Sequence, residues 1–132
     1  MKVSAVIPAY NEESTIQDVI EAVKQSEYIQ EIIVVSDGSE DGTAAVARRC
    51  GAAVVQLPQN MGKGGAMKAG IDRCAADIIL FLDADLIGLK KHHVNKMVEP
   101  VIQGRVEMTV GLFSHGRLAT DLAQKISPFL SG

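Results

Sequence analysis

The sequence predicts an α/β protein with a doubly wound, mostly parallel sheet and helices on both faces. Three observations carry this. Strand and helix patterns alternate from end to end of the 132 residues. Residues 3–7, 32–35 and 78–82 read as continuous apolar runs, the signature of strands covered on both faces. The last of these runs ends in Asp83-Ala84-Asp85, which brings two carboxylates to the sheet edge where ligands of open α/β folds bind.

The elements follow in order. Val3-Ser4-Ala5-Val6-Ile7 reads as a strand stopped by Pro8. Ile16, Val19, Ile20 and Val23 recur at one face of a helix, with Asn11 as its N-cap and Glu12 and Glu13 in its first turn. Ile32-Ile33-Val34-Val35 is a second strand, running into the turn Asp37-Gly38-Ser39-Glu40-Asp41-Gly42. An alanine-rich helix over residues 43–50 follows and stops at Gly51. Val54-Val55-Gln56-Leu57 is a third strand. Met67, Gly70, Ile71 and Cys74 then form a helical stripe ahead of the fourth strand. Val94, Met97, Val98 and Val101 repeat the helical spacing, residues 107–112 read as a weaker strand, and Ala119, Leu122, Ala123 and Ile126 predict a last helix.

Composition narrows the function. The chain suits one domain, residues 1–132, and is 47% hydrophobic, so it can bury a core. Its formal net charge of -3, without a long basic run, argues against nucleic-acid binding. An anionic ligand must then be met locally, by a metal or one lysine. Cys50 and Cys74 lack zinc spacing and read as core residues. No signal peptide or spanning stretch is visible, which predicts a cytoplasmic protein, at the inner membrane face if a longer chain carries it there. The end at Phe129-Leu130-Ser131-Gly132 reads as an interruption, and an open sheet edge there could drive formation of a homodimer.

The chemistry lies at the strand ends. Pro8-Ala9-Tyr10-Asn11-Glu12 replaces the glycine-rich turn of a nicotinamide-binding domain, which excludes that class. Asn60-Met61-Gly62-Lys63-Gly64-Gly65 opens a helix, where free N–H groups and a lysine suit a diphosphate; alone it is equally a glycine-rich turn. Asp37 alone is turn chemistry, or an acceptor for a base N–H. Asp83 and Asp85 alone could be a cap and a surface charge, but a cap explains only one of them. Paired acids are costly unless something positive sits between them, and a divalent metal carrying a phosphorylated ligand is the simplest such partner. Together, Glu12, Asp37, Lys63, Asp83 and Asp85 meet at one edge and fit a base, a ribose, a diphosphate and a metal. His92 and His93 read as a solvated helix start. His115 and Arg117, after the fifth strand, sit on the same presumed edge.

These motifs, in this order and spacing, resemble a family 2 glycosyltransferase with a GT-A fold, a Rossmann-like nucleotide-binding half. The resemblance runs through Val6-Ile7-Pro8-Ala9-Tyr10-Asn11-Glu12-Glu13, residues 37–43, Asn60-Met61-Gly62-Lys63-Gly64 and Asp83-Ala84-Asp85. It implies transfer of a hexose from a UDP- or GDP-sugar with Mg2+ or Mn2+. By similarity, Pro8, Ala9, Tyr10 and Glu12 would hold the nucleoside, Asp37 the base and Lys63 the diphosphate. Asp83 would lie near ribose and metal, and Asp85 would ligate the metal. Residues 128–132 resemble the start of the acceptor-side loop of polyprenyl-phosphate and glucosyl-phosphoglycerate transferases, which implies a polyprenyl phosphate or a small phosphorylated acceptor. The family often has a second aspartate where this chain has Ser36. Its catalytic base would lie beyond Gly132, so the rival expectation is a fragment that binds nucleotide sugar without transferring it. A phosphoacceptor receiver domain would need an aspartate where the third strand ends in Leu57-Pro58, and a nucleotidyltransferase a glycine- and arginine-rich loop after strand one.

Overall fold

The computed structural model describes residues 1–104, 108–114 and 117–126. The elements are β1 (Val3–Ala9), α1 (Ile16–Lys24), β2 (Glu31–Asp37), α2 (Thr43–Arg49), β3 (Ala53–Leu57), α3 (Gly62–Arg73), β4 (Ile78–Phe81), α4 (Lys91–Ile102), β5 (Met108–Ser114) and β6 (Arg117–Ile126). Four strands form one sheet in the order β3-β2-β1-β4, and every pairing in it is parallel. β1 is central: Ser4–Ala9 pair with Glu31–Ser36 on one side, and Val3–Val6 pair with Ile78–Phe81 on the other. The strand order therefore reverses between β1 and β4. A crevice at the carboxyl ends of the strands is the expected result of such a reversal.

The apolar runs are explained by a core on each face. On one face Val3, Ala5, Ile7, Val34 and Leu80 pack with Ile16, Val19, Ile20 and Val23 of α1, Ala47 of α2, and Val94, Met97 and Val98 of α4. On the other, Val6, Ile33 and Val35 pack with Ala66 of α3. The four α1 residues are fully buried, and each such side chain contributes roughly 1.5–3 kcal/mol of transfer free energy. Cys50 is buried and Cys74 half-buried, and both are free thiols. Burial pushes the Cys50 thiol above its ordinary value, as suits an unreactive core residue.

Helix α3 packs on β1 and β2, and of the expected stripe only Gly70 is buried in its packing face. Its buried residues are Ala66 and Gly70, whereas Ile71 is 44% exposed and Met67 only half-buried. A Cβ on Gly70 would stand 2.3 Å from Val6 Cγ1 and 3.3 Å from Val35 Cγ2. Small residues bring this helix against the strands, and they leave no large apolar stripe in the sequence to reveal it.

Two further expectations are corrected. Asn11 is not an N-cap: helix α1 begins at Ile16 with Thr15 before it, so Glu12 and Glu13 precede the helix. Asn11 instead takes φ 54°, a conformation asparagine tolerates better than most residues, and its side chain serves a neighbouring loop. Residues 117–126 are not helical. They form β6, antiparallel to β5, in a separate two-stranded sheet with an irregularity between Gly111 and Phe113. The apolar residues Leu118, Ala119, Leu122, Ala123 and Ile126 recur at helical spacing, and the pairing with β5 overrides that local pattern. His115 and residues 128–132 lie outside the described residues, as does the Arg117 side chain. Among the described residues no helix is long and apolar enough to cross a membrane.

Candidate functional site

A cleft of about 340 Å³ opens at the carboxyl ends of the parallel strands. Its wall includes Pro8, Ala9, Tyr10 and Glu12 after β1, Asp37 at the end of β2, Lys63 on α3, and Asp83 and Asp85 after β4. Glu12, Asp37, Lys63, Asp83 and Asp85 are thus brought to one cavity. Asn60, Gly62, Ala66 and Ala84 line it as well.

Asp37 is 4% exposed, and its Oδ1 accepts the Met61 N–H at 2.6 Å. No described residue engages its other oxygen. Asp37 lines the cleft with that oxygen unengaged among the described residues. Gly38 makes the arrangement possible. Its φ is +72°, and a Cβ there would stand 2.6 Å from Asn60 N and Gln59 C. The loop leading into α3 can therefore close on the end of β2 only past a glycine.

The loop after β1 is clasped to the loop after β2. Asn11 N donates to Ser39 Oγ at 3.0 Å, and Asn11 Oδ1 accepts Glu40 N at 2.8 Å. Glu12 N donates to Thr43 Oγ1 at 2.9 Å, Glu13 N to Asp41 Oδ2 at 3.3 Å, and Gly42 N to Glu13 Oε2 at 3.0 Å. The Thr43 N–H donates to Asp41 Oδ1 at 3.0 Å, and the Thr43 hydroxyl donates to the same oxygen. Desolvation pushes the Asp41 carboxyl up, but these bonds from Thr43 and Glu13 outweigh it and hold the group below its ordinary range. Ser39, Asp41 and Thr43 were not singled out as site-forming residues. Their signal was local: short polar side chains directly before a helix, which cap and clasp.

The acidic edge is electrostatically crowded. Burial pushes the Glu12 carboxyl above its ordinary value, and Asp85 pushes it further. Asp41 and Asp83 add smaller pushes, against an opposing hydrogen bond from Thr15. Lys63 Nζ forms an ion pair with Asp83 Oδ1, between side chains 64% and 47% exposed. Among the described residues lining the cleft, one cation thus faces several anions, an arrangement that favours binding a further positive charge.

Comparison with known proteins gives this geometry a family. Residues 4–129 match the family model described as Glycosyl transferase family 2. The chain belongs to that family. A glucosyl-3-phosphoglycerate synthase of Mycobacterium tuberculosis is 35% identical over 111 residues, which cover 77% of this chain and 34% of the synthase. An undecaprenyl-phosphate 4-deoxy-4-formamido-L-arabinose transferase of Serratia proteamaculans is 40% identical over 95 residues, 64% of this chain and 29% of that protein. A crystal structure of the mycobacterial synthase with Mn2+, UDP-glucose and phosphoglyceric acid superposes with TM-score 0.72 at 35% identity, over 78% of this chain and 40% of the synthase. Another, with Mg2+ and UDP, gives TM-score 0.69 over 76% and 39%. The fold is therefore the GT-A fold of these family 2 enzymes, and this chain spans well under half the length of each.

Proposed function

We propose that this domain binds a UDP-hexose with Mg2+ or Mn2+ and serves as the donor side of a family 2 glycosyltransferase. The observation that carries the reading is one cleft that gathers Glu12 after β1, Asp37 at the end of β2, Lys63 at the start of α3 and the acid pair after β4. The relatives with UDP, UDP-glucose, Mn2+ and Mg2+ support it.

Each residue has a task in this reading. Pro8, Ala9 and Tyr10 form the wall against the nucleoside, with Glu12 beside them. Asp37 accepts a hydrogen bond from the base. One of its oxygens already holds the Met61 amide, which leaves the other as its one unengaged oxygen. Uracil offers a single imide N–H between two carbonyls, whereas guanine offers adjacent ring N–H and amino donors that a carboxylate with two free oxygens would match. The occupied oxygen therefore favours uridine. Lys63 supplies positive charge to the diphosphate.

The acid pair fits a hard divalent cation. Asp83 and Asp85 both face the cleft and offer oxygen donors only. Among the described residues no group of three or more His, Cys, Asp or Glu side chains converges on one point. Two carboxylates plus ligand phosphates are a usual set for Mg2+ or Mn2+. Such an ion, when bound, supplies Lewis-acid neutralisation of the departing diphosphate. The acceptor would be a polyprenyl phosphate or a small phosphorylated molecule, by analogy with the two relatives. A second reading is binding of the nucleotide sugar without transfer.

Thermal shifts with UDP and with GDP, each with Mn2+ and with a chelator, test the donor site. A ligand at about 100 times its Kd adds roughly 2.7 kcal/mol of stability. The expected result is a Mn2+-dependent shift with UDP that Asp85→Ala abolishes. An equal shift with GDP would reject the uridine assignment, and no shift with either nucleotide would reject the donor site. Release of UDP from UDP-glucose in the presence of candidate acceptors separates transfer from binding alone.

A further inference from the structure

We infer that Thr15 is a positioning residue for the acidic edge of the cleft, fixing the Asp83-Ala84-Asp85 turn relative to Glu12. The inference rests on the reading of that edge as the cation-binding part of the donor site.

Thr15 stands directly before α1, where a threonine hydroxyl ordinarily accepts a hydrogen bond from an N–H of the first turn. It makes no such cap bond. Its hydroxyl instead lies 2.9 Å from the carbonyl oxygen of Ala84, 3.3 Å from Glu12 Oε2 and 3.5 Å from the Glu12 carbonyl. A hydroxyl has one proton to donate. Ala84 O, at the best distance, receives it, and the Glu12 contacts are near the limit of a hydrogen bond. Thr15 thus leaves its own helix uncapped and ties together two segments 69 residues apart in sequence.

The position of this tie gives it consequence. Ala84 is 2% exposed and lies between the two aspartates, so anchoring its carbonyl orients both of them. Among the described residues, the remaining side-chain hydrogen bonds that link residues 9–15 to other segments all go to residues 39–43 after β2. None of those bonds reaches the β4 turn. The threonine hydroxyl alone, among these side-chain bonds, connects the clasped loops to the acid pair. Groups that orient the ligands of a cation typically change its affinity by about 10–100-fold when removed.

The test compares Thr15→Val, which keeps the branched shape and removes the hydroxyl, with Thr15→Ser, which keeps the hydroxyl. Mn2+ binding in the presence of UDP is read from the EPR signal of free Mn2+. Binding of uridine without metal is read by NMR on the same samples, and folding by circular dichroism. The expected result is about tenfold weaker Mn2+ binding in Thr15→Val, near-normal binding in Thr15→Ser, and unchanged uridine affinity in both. Full Mn2+ affinity in Thr15→Val would overturn the inference and leave the donor-site reading standing. Equal loss in both variants, or loss of uridine and Mn2+ binding together, would also overturn it, since the methyl packing or the fold would then be responsible. Absence of Mn2+ binding in the unaltered protein would overturn the donor-site reading and this inference with it.

Discussion

The Asp37 carboxylate accepts the Met61 amide at 2.6 Å, joining the end of β2 to the residue that precedes α3. The acid that would read the base is thereby oriented by the same backbone that leads to Lys63. Closure of this joint depends on Gly38, because any side chain there would run into the backbone of Gln59 and Asn60.

Asp37→Ala removes both the base acceptor and the partner of the Met61 amide. A hydrogen bond to a charged group contributes about 1.5–3 kcal/mol, so uridine and UDP affinity should each fall by about 10–150-fold. Isothermal titration with both ligands checks this. A loss confined to UDP would place the acid at the phosphates instead of the base.

Lys63→Ala separates stability from binding. Its ion pair with Asp83 joins two largely exposed side chains, and such pairs contribute about 0–1 kcal/mol. Urea denaturation should therefore change little. UDP affinity should fall by about tenfold or more at low salt, while uridine affinity stays constant. Equal affinity for UDP in the variant and the unaltered protein would remove Lys63 from the diphosphate site.

Glu12 carries a pH signature. Its carboxyl is raised in the folded protein by burial, then by Asp85, Asp41 and Asp83. The folded state thus holds this proton more tightly than the unfolded chain, so the group's contribution to stability falls as pH rises from the ordinary carboxylate range through the raised value. Glu12→Gln should be more stable than the unaltered protein at neutral pH, and the difference should vanish in acid. Thermal melts from pH 4 to 8 check the sign. A difference that grows in acid would contradict the crowding of the acidic edge.

Gly70→Ala places a methyl group against Val6 and Val35, both fully buried. Overpacking of this kind costs about 1–3 kcal/mol, against a helix-propensity gain of about 1 kcal/mol. Net destabilisation, read by urea denaturation, is the expected outcome, with α3 and Lys63 pushed away from the sheet. A stabilised variant would mean that the helix can recede freely.

The parallel sheet was legible because strands buried on both faces are apolar nearly throughout, as residues 3–7, 32–35 and 78–82 are apart from Ser4. The convergence of Glu12, Asp37, Lys63, Asp83 and Asp85 followed from strand-end positions alone, once the sheet was parallel. Less legible were features set by partners distant in sequence. Asn11 reads as a cap until Ser39 and Glu40 are seen to claim it. The packed face of α3 depends on what small residues allow: Gly70 falls in the expected stripe, but Ala66 does not and Ile71 is exposed. Residues 117–126 carry helical spacing, and their pairing with β5, distant from any local signal, makes them a strand.

The central position of β1 also dictates an order of events. During synthesis β1 and β2 emerge early and can pair, but the other edge of β1 must wait for Ile78, its partner 75 residues downstream of Val3. Until then a growing chain exposes an unsatisfied strand edge on Val3–Val6, open to pairing with another chain. The acid pair arrives with the strand that closes that edge. A nascent domain therefore completes the acidic wall of its cleft and covers the open edge of β1 in the same step.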